Sequence, residues 1–169
     1  MAKNIINGSD LMLFVEEGNA YKSLAFATSH SLSISADVAD INTKDHGQWG
    51  GKEINKINWE ISSENMFTVE GYEDLFDIMM SKTAVKVVFA LKNGWAGDSP
   101  APTGNETRNL TTTDGDSWTV ETASATTPKY EGEAFITSLT ANAAAGEKAT
   151  YSVTLNGNGA LSKVNAVSI

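Results

Sequence analysis

Apolar and polar residues alternate with period two along much of this chain, and that pattern commits it to strands with one dry and one wet face. In the run 29–36, His30, Leu32, Ile34 and Ala36 fall on one side, and Ser29, Ser31, Ser33 and Ser35 on the other. Ile57, Trp59 and Ile61 alternate with Lys56, Asn58, Glu60 and Ser62, and Val85, Val87, Phe89 and Leu91 with Lys86, Val88, Ala90 and Lys92. Two later runs repeat the theme: Ala134 with Ile136, then Tyr151, Val153 and Leu155 set between Thr150, Ser152 and Thr154, with Gly146 marking the break. Near the start, Leu11 to Glu17, Gly18-Asn19 and Tyr21 to Thr28 read as a strand, a tight turn and a second strand. A chain of 169 residues with this pattern reads as one mainly β domain spanning 1–169.

One segment departs from the alternation. Tyr72, Leu75, Phe76, Met79 and Met80 recur at helical spacing, with Glu70, Glu73 and Asp74 toward one end and Lys82 at the other, as the helix dipole favours. About a dozen residues are too few for a helix to stand alone in water, so the stripe is expected to bury itself on the sheet, Met79 and Met80 included. Two stretches lack either period and read as loops. The first, 37–53, holds Asp45-His46-Gly47 and Trp49-Gly50-Gly51; the second, 93–117, holds Pro100, Pro102 and several glycines and threonines and reads as a long loop or insertion.

Composition removes whole classes of function. A net charge of −9 opposes binding to nucleic acid phosphates. With no cysteine there are no disulfides, no thiolate metal sites and no thiol chemistry. The apolar run Leu11 to Val15 is short and flanked by Asp10 and Glu16, so neither a secretory peptide nor a membrane span is expected. In that setting the glycosylation triplets at Asn105 and Asn109 read as coincidence.

The inventory for catalysis is thin. His30 lies on the apolar side of its strand and reads as a packed residue, while His46 beside Asp45 falls short of a metal-ligand set or a triad. Glu60 and Glu64 form a carboxylate pair of the kind that flanks a glycosidic bond, but an acidic chain offers such pairs by chance. Gly157-Asn-Gly159 lacks the third glycine of a dinucleotide fingerprint, and Asp114-Gly-Asp116 lacks the rest of a calcium loop; both read as turns. No catalytic residue, metal or cofactor is expected, and a hydrolase built on His46 is the weakest reading. Trp59 belongs to a strand core, whereas Trp49, Trp95 and Trp118 fall in or beside the loops, where a tryptophan marks a surface for a sugar ring or another chain. A carbohydrate-binding or adhesion β-sandwich with Trp95 and Trp118 as its platform is therefore one of two non-enzymatic readings.

The other comes from a resemblance. It is carried by Gly8-Ser-Asp-Leu-Met-Leu-Phe-Val15, Ala27-Thr-Ser-His-Ser-Leu-Ser-Ile-Ser35, Thr43-Lys-Asp45 with Gly47 and Trp49, and Trp59-Glu-Ile-Ser62. Gly71-Tyr-Glu-Asp-Leu-Phe-Asp77 and Ala149-Thr-Tyr-Ser-Val-Thr-Leu155 with Gly157 and Gly159 extend it. In order and spacing these segments resemble the major tail proteins, or tail tube proteins, of long-tailed bacteriophages, over most of the chain except 93–117. The resemblance implies a β-sandwich or half-barrel with one packed α-helix, similar to the tube subunit of type VI secretion systems. It also implies a non-enzymatic structural role: homohexameric rings, stacked into a tube in the virion tail through which the genome passes. The chain would be made in the host cytoplasm, its partners would be its own copies and other tail proteins at the tube ends, and DNA would pass without specific binding or any membrane contact. By the same resemblance the 37–53 loop is the contact between rings, anchored by Lys44, Asp45, His46 and Trp49. The apolar pair Ile5-Ile6 on the polar arm 1–9 calls for a neighbouring surface to cover it, and Ser29, Ser31, Ser33 and Ser35 suit a polar lumen face. Net negative charge would keep DNA from adhering to such a wall.

Overall fold

The computed structural model describes residues 6, 8–17, 20–24, 27–45, 47–91 and 129–164. A 3-10 turn, Gly8–Asp10, leads into β1 (Leu11–Glu17), β2 (Ala20–Ser23), β3 (Ala27–Ile41) and β4 (Gly51–Met66). The helix α1 (Val69–Ser81) follows, then β5 (Val85–Leu91), β6 (Lys129–Asn142), β7 (Thr150–Gly157) and β8 (Ser162–Val164). All eight strands join one sheet in the order β2-β1-β5-β6-β7-β4-β3, with β8 beside the start of β6. Every pairing is antiparallel. Among the described residues this is a mainly β architecture with one packed helix, the strands following the alternation and the helix the stripe at 72–80. The segment read as a strand from Tyr21 to Thr28 is shorter than expected, since β2 stops at Ser23 and β3 starts at Ala27. The Gly18-Asn19 turn and the 93–117 stretch lie outside the described residues.

The sheet curls until strands near its two ends meet. The Leu13 backbone N–H of β1 donates to His30 Nδ1 of β3 across 3.1 Å. β2 ends at Ser23 opposite Phe14, one residue short of Leu13, so the imidazole takes a donor that the ladder leaves over. His30 is thus a seam residue rather than a base. Burial pushes its pKa down to about 4, against a backbone contact with Leu11 that works the other way. The unfolded chain binds this proton near pH 6.5 and the folded chain only near 4, so stability is full above 6.5 and falls as pH drops between the two values. Urea melts of the wild type and His30→Gln at pH 7 and pH 4.5 check this. The wild type is expected to lose up to about 3 kcal/mol more over that interval than the variant.

The main core lies on one face of the sheet; on the other face, at β1 and β5, Phe14, Val88 and Ala90 are buried as well, so Val88 and Ala90, which the alternation set opposite the core, are dry too. Ile61, Val87, Ile136, Val153 and Leu155 bury against one another, as the alternation placed them, together with Leu13 and Val15 of β1 and Leu75 of α1. Trp59 closes one end of this core. Its indole lies across two backbones with no side chain: a Cβ on Gly132 of β6 would sit 2.7 Å from the ring, and one on Gly157 of β7 2.1 Å. The indole Nε1 donates to the Gly159 carbonyl at 3.0 Å, and Gly159 reaches that position with φ +89, open to glycine at little cost. The Gly157-Asn-Gly159 turn therefore shapes the seat of a core tryptophan.

At the opposite end of the sheet, Phe67, Tyr72 and Tyr151 form a ring cluster with centroids 5.0 to 6.2 Å apart that pins the start of α1 to β7. Burial first, and then the charge of Asp74, push the Tyr151 phenol up to about 12. Thr68 caps the helix by accepting the Gly71 N–H at 3.3 Å, and Lys82 ends it in the left-handed region with φ 56. The expected helix is present, but its apolar stripe is split. Leu75 is buried and Tyr72, Ile78 and Met79 are partly covered, whereas Phe76 and Met80 are exposed. At 100° per residue, Phe76 and Met80 line up with Val69 and Glu73 about 100° around the helix from the buried line, beyond what the sheet reaches.

Candidate functional site

The face of β3, β4, β7 and β6 opposite the core carries rows of small polar side chains. Ser31, Ser62, Thr154 and Ser138 stand side by side across the four strands, and so do Ser29, Glu64, Ser152 and Thr140. Ser33, Glu60 and Asn156 form a third row. The hydroxyls bond among themselves: Ser31 Oγ meets Ser62 Oγ at 2.5 Å, Asn156 Nδ2 donates to Thr137 Oγ1 at 3.2 Å, and Thr137 Oγ1 to the Thr154 carbonyl at 3.3 Å. Phe135, opposite Asn156, is the large apolar side chain exposed here. Ser29, Ser31, Ser33 and Ser35 are therefore on an exposed polar face, shared with three other strands.

Glu60 and Glu64 share one strand four residues apart, about 13 Å, beyond the roughly 5–10 Å of a glycosidase pair. Among the described residues no three of His, Asp and Glu gather where a cation would be held. No helix among them is long and apolar enough to cross a membrane.

A second surface is a ribbon. β4 pairs with β7 only from Glu60 to Met66, while the β3–β4 ladder runs on to Ile41 opposite Gly51. The two strands project beyond the sheet, and the loop between them is 42–50, not 37–53. The sequence hid this because several of its cross-strand pairs are polar. Asp37 faces Lys56 and accepts from Asn58 Nδ2 at 3.1 Å, and Lys52 meets Asp40 at 2.8 Å. On the core-facing side the row Leu32 with Ile61 and Ile34 with Trp59 continues as Ala36 with Ile57 and Val38 with Ile54. Ile34, Val38, Ile54 and Ile57 are 52 to 66% exposed, and Trp49 at the tip is 84% exposed. Ile34 and Ala36, expected on a half-buried face, are bare because the sheet beside them has ended. The ribbon's apolar strip was missed, although the spacing of Ile34, Val38, Ile54 and Ile57 carried its signal.

Of the expected contact residues, Lys44, Asp45 and Trp49 are exposed in the 42–50 loop at the ribbon tip. Ile6 is exposed just before the 3-10 turn, on a separate element. Ile5, His46, Trp95 and Trp118 lie outside the described residues.

A family model described as phage tail tube protein matches residues 5–100 and 106–163, nearly the whole chain. The chain belongs to that family. It is a structural subunit of a phage tail tube, and its place is the virion tail. The fold is also that of solved tail particles. The tail of an empty gene transfer agent particle, refined helically with C6 symmetry, superposes with a TM-score of 0.64 at 17% identity, covering 95% of this chain and 99% of that one. A chain from the virion of a native gene transfer agent gives 0.64 at 16% identity with the same coverage. One from the six-fold symmetrised baseplate of an anti-feeding prophage gives 0.61 at 9% identity, covering 99% of both chains. No curated protein matches the chain.

Proposed function

We propose that six copies of this chain close a ring whose inner wall is the polar face of β6, β7, β4 and β3, and that such rings stack into a conduit for the genome. The observation that carries this reading is a polar four-stranded unit with an open edge on each side. Among the described residues, nothing pairs with the outer edge of β3, nor with residues 135–142 of β6 on the side away from β7. Open edges are templates for further pairing. Strand direction alternates from β6 through β7 and β4 to β3, so β3 of one copy meets β6 of the next antiparallel, and the sheet continues across the junction. The C6 symmetry of the gene transfer agent tail and the six-fold symmetry of the prophage baseplate support six as the number.

The wall then presents hydroxyls, amides and the carboxylates Glu60 and Glu64 to whatever passes, in keeping with a net charge of −9. DNA slides by without a specific site, and the subunit acts without catalysis. It is made in the host cytoplasm, binds its own copies and other tail proteins at the tube ends, and does not engage a membrane. The ribbon tip with Lys44, Asp45, His46 and Trp49, and the arm with Ile5 and Ile6, reach neighbouring subunits.

Negative-stain electron microscopy with light scattering across a concentration series tests this. Six-fold rings or stacked tubes, with a mass of six chains for the smallest closed species, are the expected result. A monomer at every concentration, also when seeded with a tail tip complex, overturns it.

A further inference from the structure

An asparagine side chain is most open to attack by its own backbone when glycine follows it, because glycine has no Cβ to block the approach and bends freely. Among the described residues the chain has two such pairs, Asn156-Gly157 and Asn158-Gly159, side by side. The structure treats them differently. Asn156 and Gly157 are the last residues of β7, paired with Phe135 and Ala134 of β6, and the Asn156 side chain donates to Thr137 Oγ1 at 3.2 Å. A Cβ on Gly157 would strike the Trp59 indole at 2.1 Å, so the backbone there has no space to rearrange. Asn158 and Gly159 lie beyond the end of β7 and are exposed. Gly159 has φ +89, and a Cβ built on it would meet nothing within 4 Å.

We infer that Asn158 is a site of spontaneous modification, converted through a succinimide to aspartate and isoaspartate, while Asn156 is spared. The Gly159 backbone nitrogen bonds to Asn158 Cγ and gives its proton to solvent, and the side-chain amide nitrogen takes a proton and leaves as ammonia. Water, the one co-reactant, then opens the ring at either carbonyl. Opening at Cγ gives aspartate in an unchanged backbone. Opening at the backbone carbonyl gives isoaspartate, whose chain runs through Cβ and Cγ and is one carbon longer. That carbon falls between two anchors: the Asn158 N–H donates to the Glu133 carbonyl at 2.7 Å, and the Gly159 carbonyl accepts from Trp59 Nε1 at 3.0 Å. A lengthened backbone between them does not keep both bonds, so isoaspartate unties the indole from its seat, whereas aspartate leaves it tied. The turn that positions the core tryptophan is thereby the place where an ageing subunit first loosens.

Peptide mapping of the purified full chain aged at mildly alkaline pH, with fragment ions that separate position 156 from 158, tests this. Asn158 is expected to lose its amide at least tenfold faster than Asn156, since a residue held in a ladder reacts only after local opening. Part of the product is expected to accept methyl groups from an isoaspartyl methyltransferase, and Asn158→Gln, whose longer side chain closes a ring slowly, is expected to remove that signal from this peptide. In concentrated urea the two rates are expected to converge. Equal rates in the folded chain, or a contrast that persists in urea, overturn the inference. The Trp59 indole N–H resonance reads the consequence. Its exchange with solvent is expected to be at least tenfold faster in the isoaspartyl fraction and unchanged in the aspartyl fraction. An indole that exchanges equally slowly in both overturns the link to Trp59.

Discussion

Gly157→Ala is expected to destabilise the monomer by about 3 kcal/mol or more, a large fraction of what holds a domain of this size together. The added methyl would sit 2.1 to 2.4 Å from three atoms of the Trp59 indole, well inside any tolerated contact. The ring has little room to yield, because its Nε1 is tied to the Gly159 carbonyl and Gly132 lies under its other edge. Trp59→Ala removes the clash but opens a cavity and also costs about 3–5 kcal/mol. The two losses should not add. In the double variant Gly157→Ala/Trp59→Ala the smaller side chain makes room, so its stability is expected to exceed the sum of the two single effects by about 1–3 kcal/mol. Chemical denaturation of the four proteins measures this. An additive cycle would mean that the indole does not rest on Gly157.

Trp59 also shows how far the sequence could be read. Its place in a period-two run put it in the core, and it is there at 5% exposure. The same period located Ile61, Val87, Ile136, Val153 and Leu155, because each faces the dry side along its whole strand. Alternation reports which side a residue faces, but not whether anything covers that side. Ile34 and Ile57 continue the core rows in phase and are bare because β7 and the helix do not extend over them. Phe76 and Met80 fail for the related reason that a helix stripe can be wider than the sheet that receives it. The ribbon was hidden by Asp37, Lys56, Asp40 and Lys52, whose ladder is held by backbone bonds that any residue but proline makes. The glycine seat of Trp59 depends on Gly132 and Gly157 coming together from two strands, and no spacing within one strand announces that.

Reversing the wall charge gives the other large effect. Glu60→Lys with Glu64→Lys changes the polar face by four charge units per subunit, and a closed ring repeats that change at every subunit. Both side chains are exposed and lie on the inner strand β4, away from the β3 and β6 edges, so the monomer's stability is expected to move by only about 0.5 kcal/mol and ring closure to persist. Wild-type tubes are expected to retain no short duplex DNA at about 150 mM salt, since like charges across a Debye length of about 8 Å repel. Variant tubes are expected to hold duplex that nuclease does not reach, released steeply as salt rises because each neutralised phosphate adds about −0.9 to the logarithmic slope. Glu70→Lys with Asp77→Lys, on the exposed side of α1, supplies the contrast. DNA held there remains open to nuclease if α1 faces outward. Protection by the Glu60 and Glu64 pair alone assigns the hydroxyl face to the lumen; equal nuclease sensitivity in both variants would assign it to the outside, and the ring would then have to close with the sheet turned over.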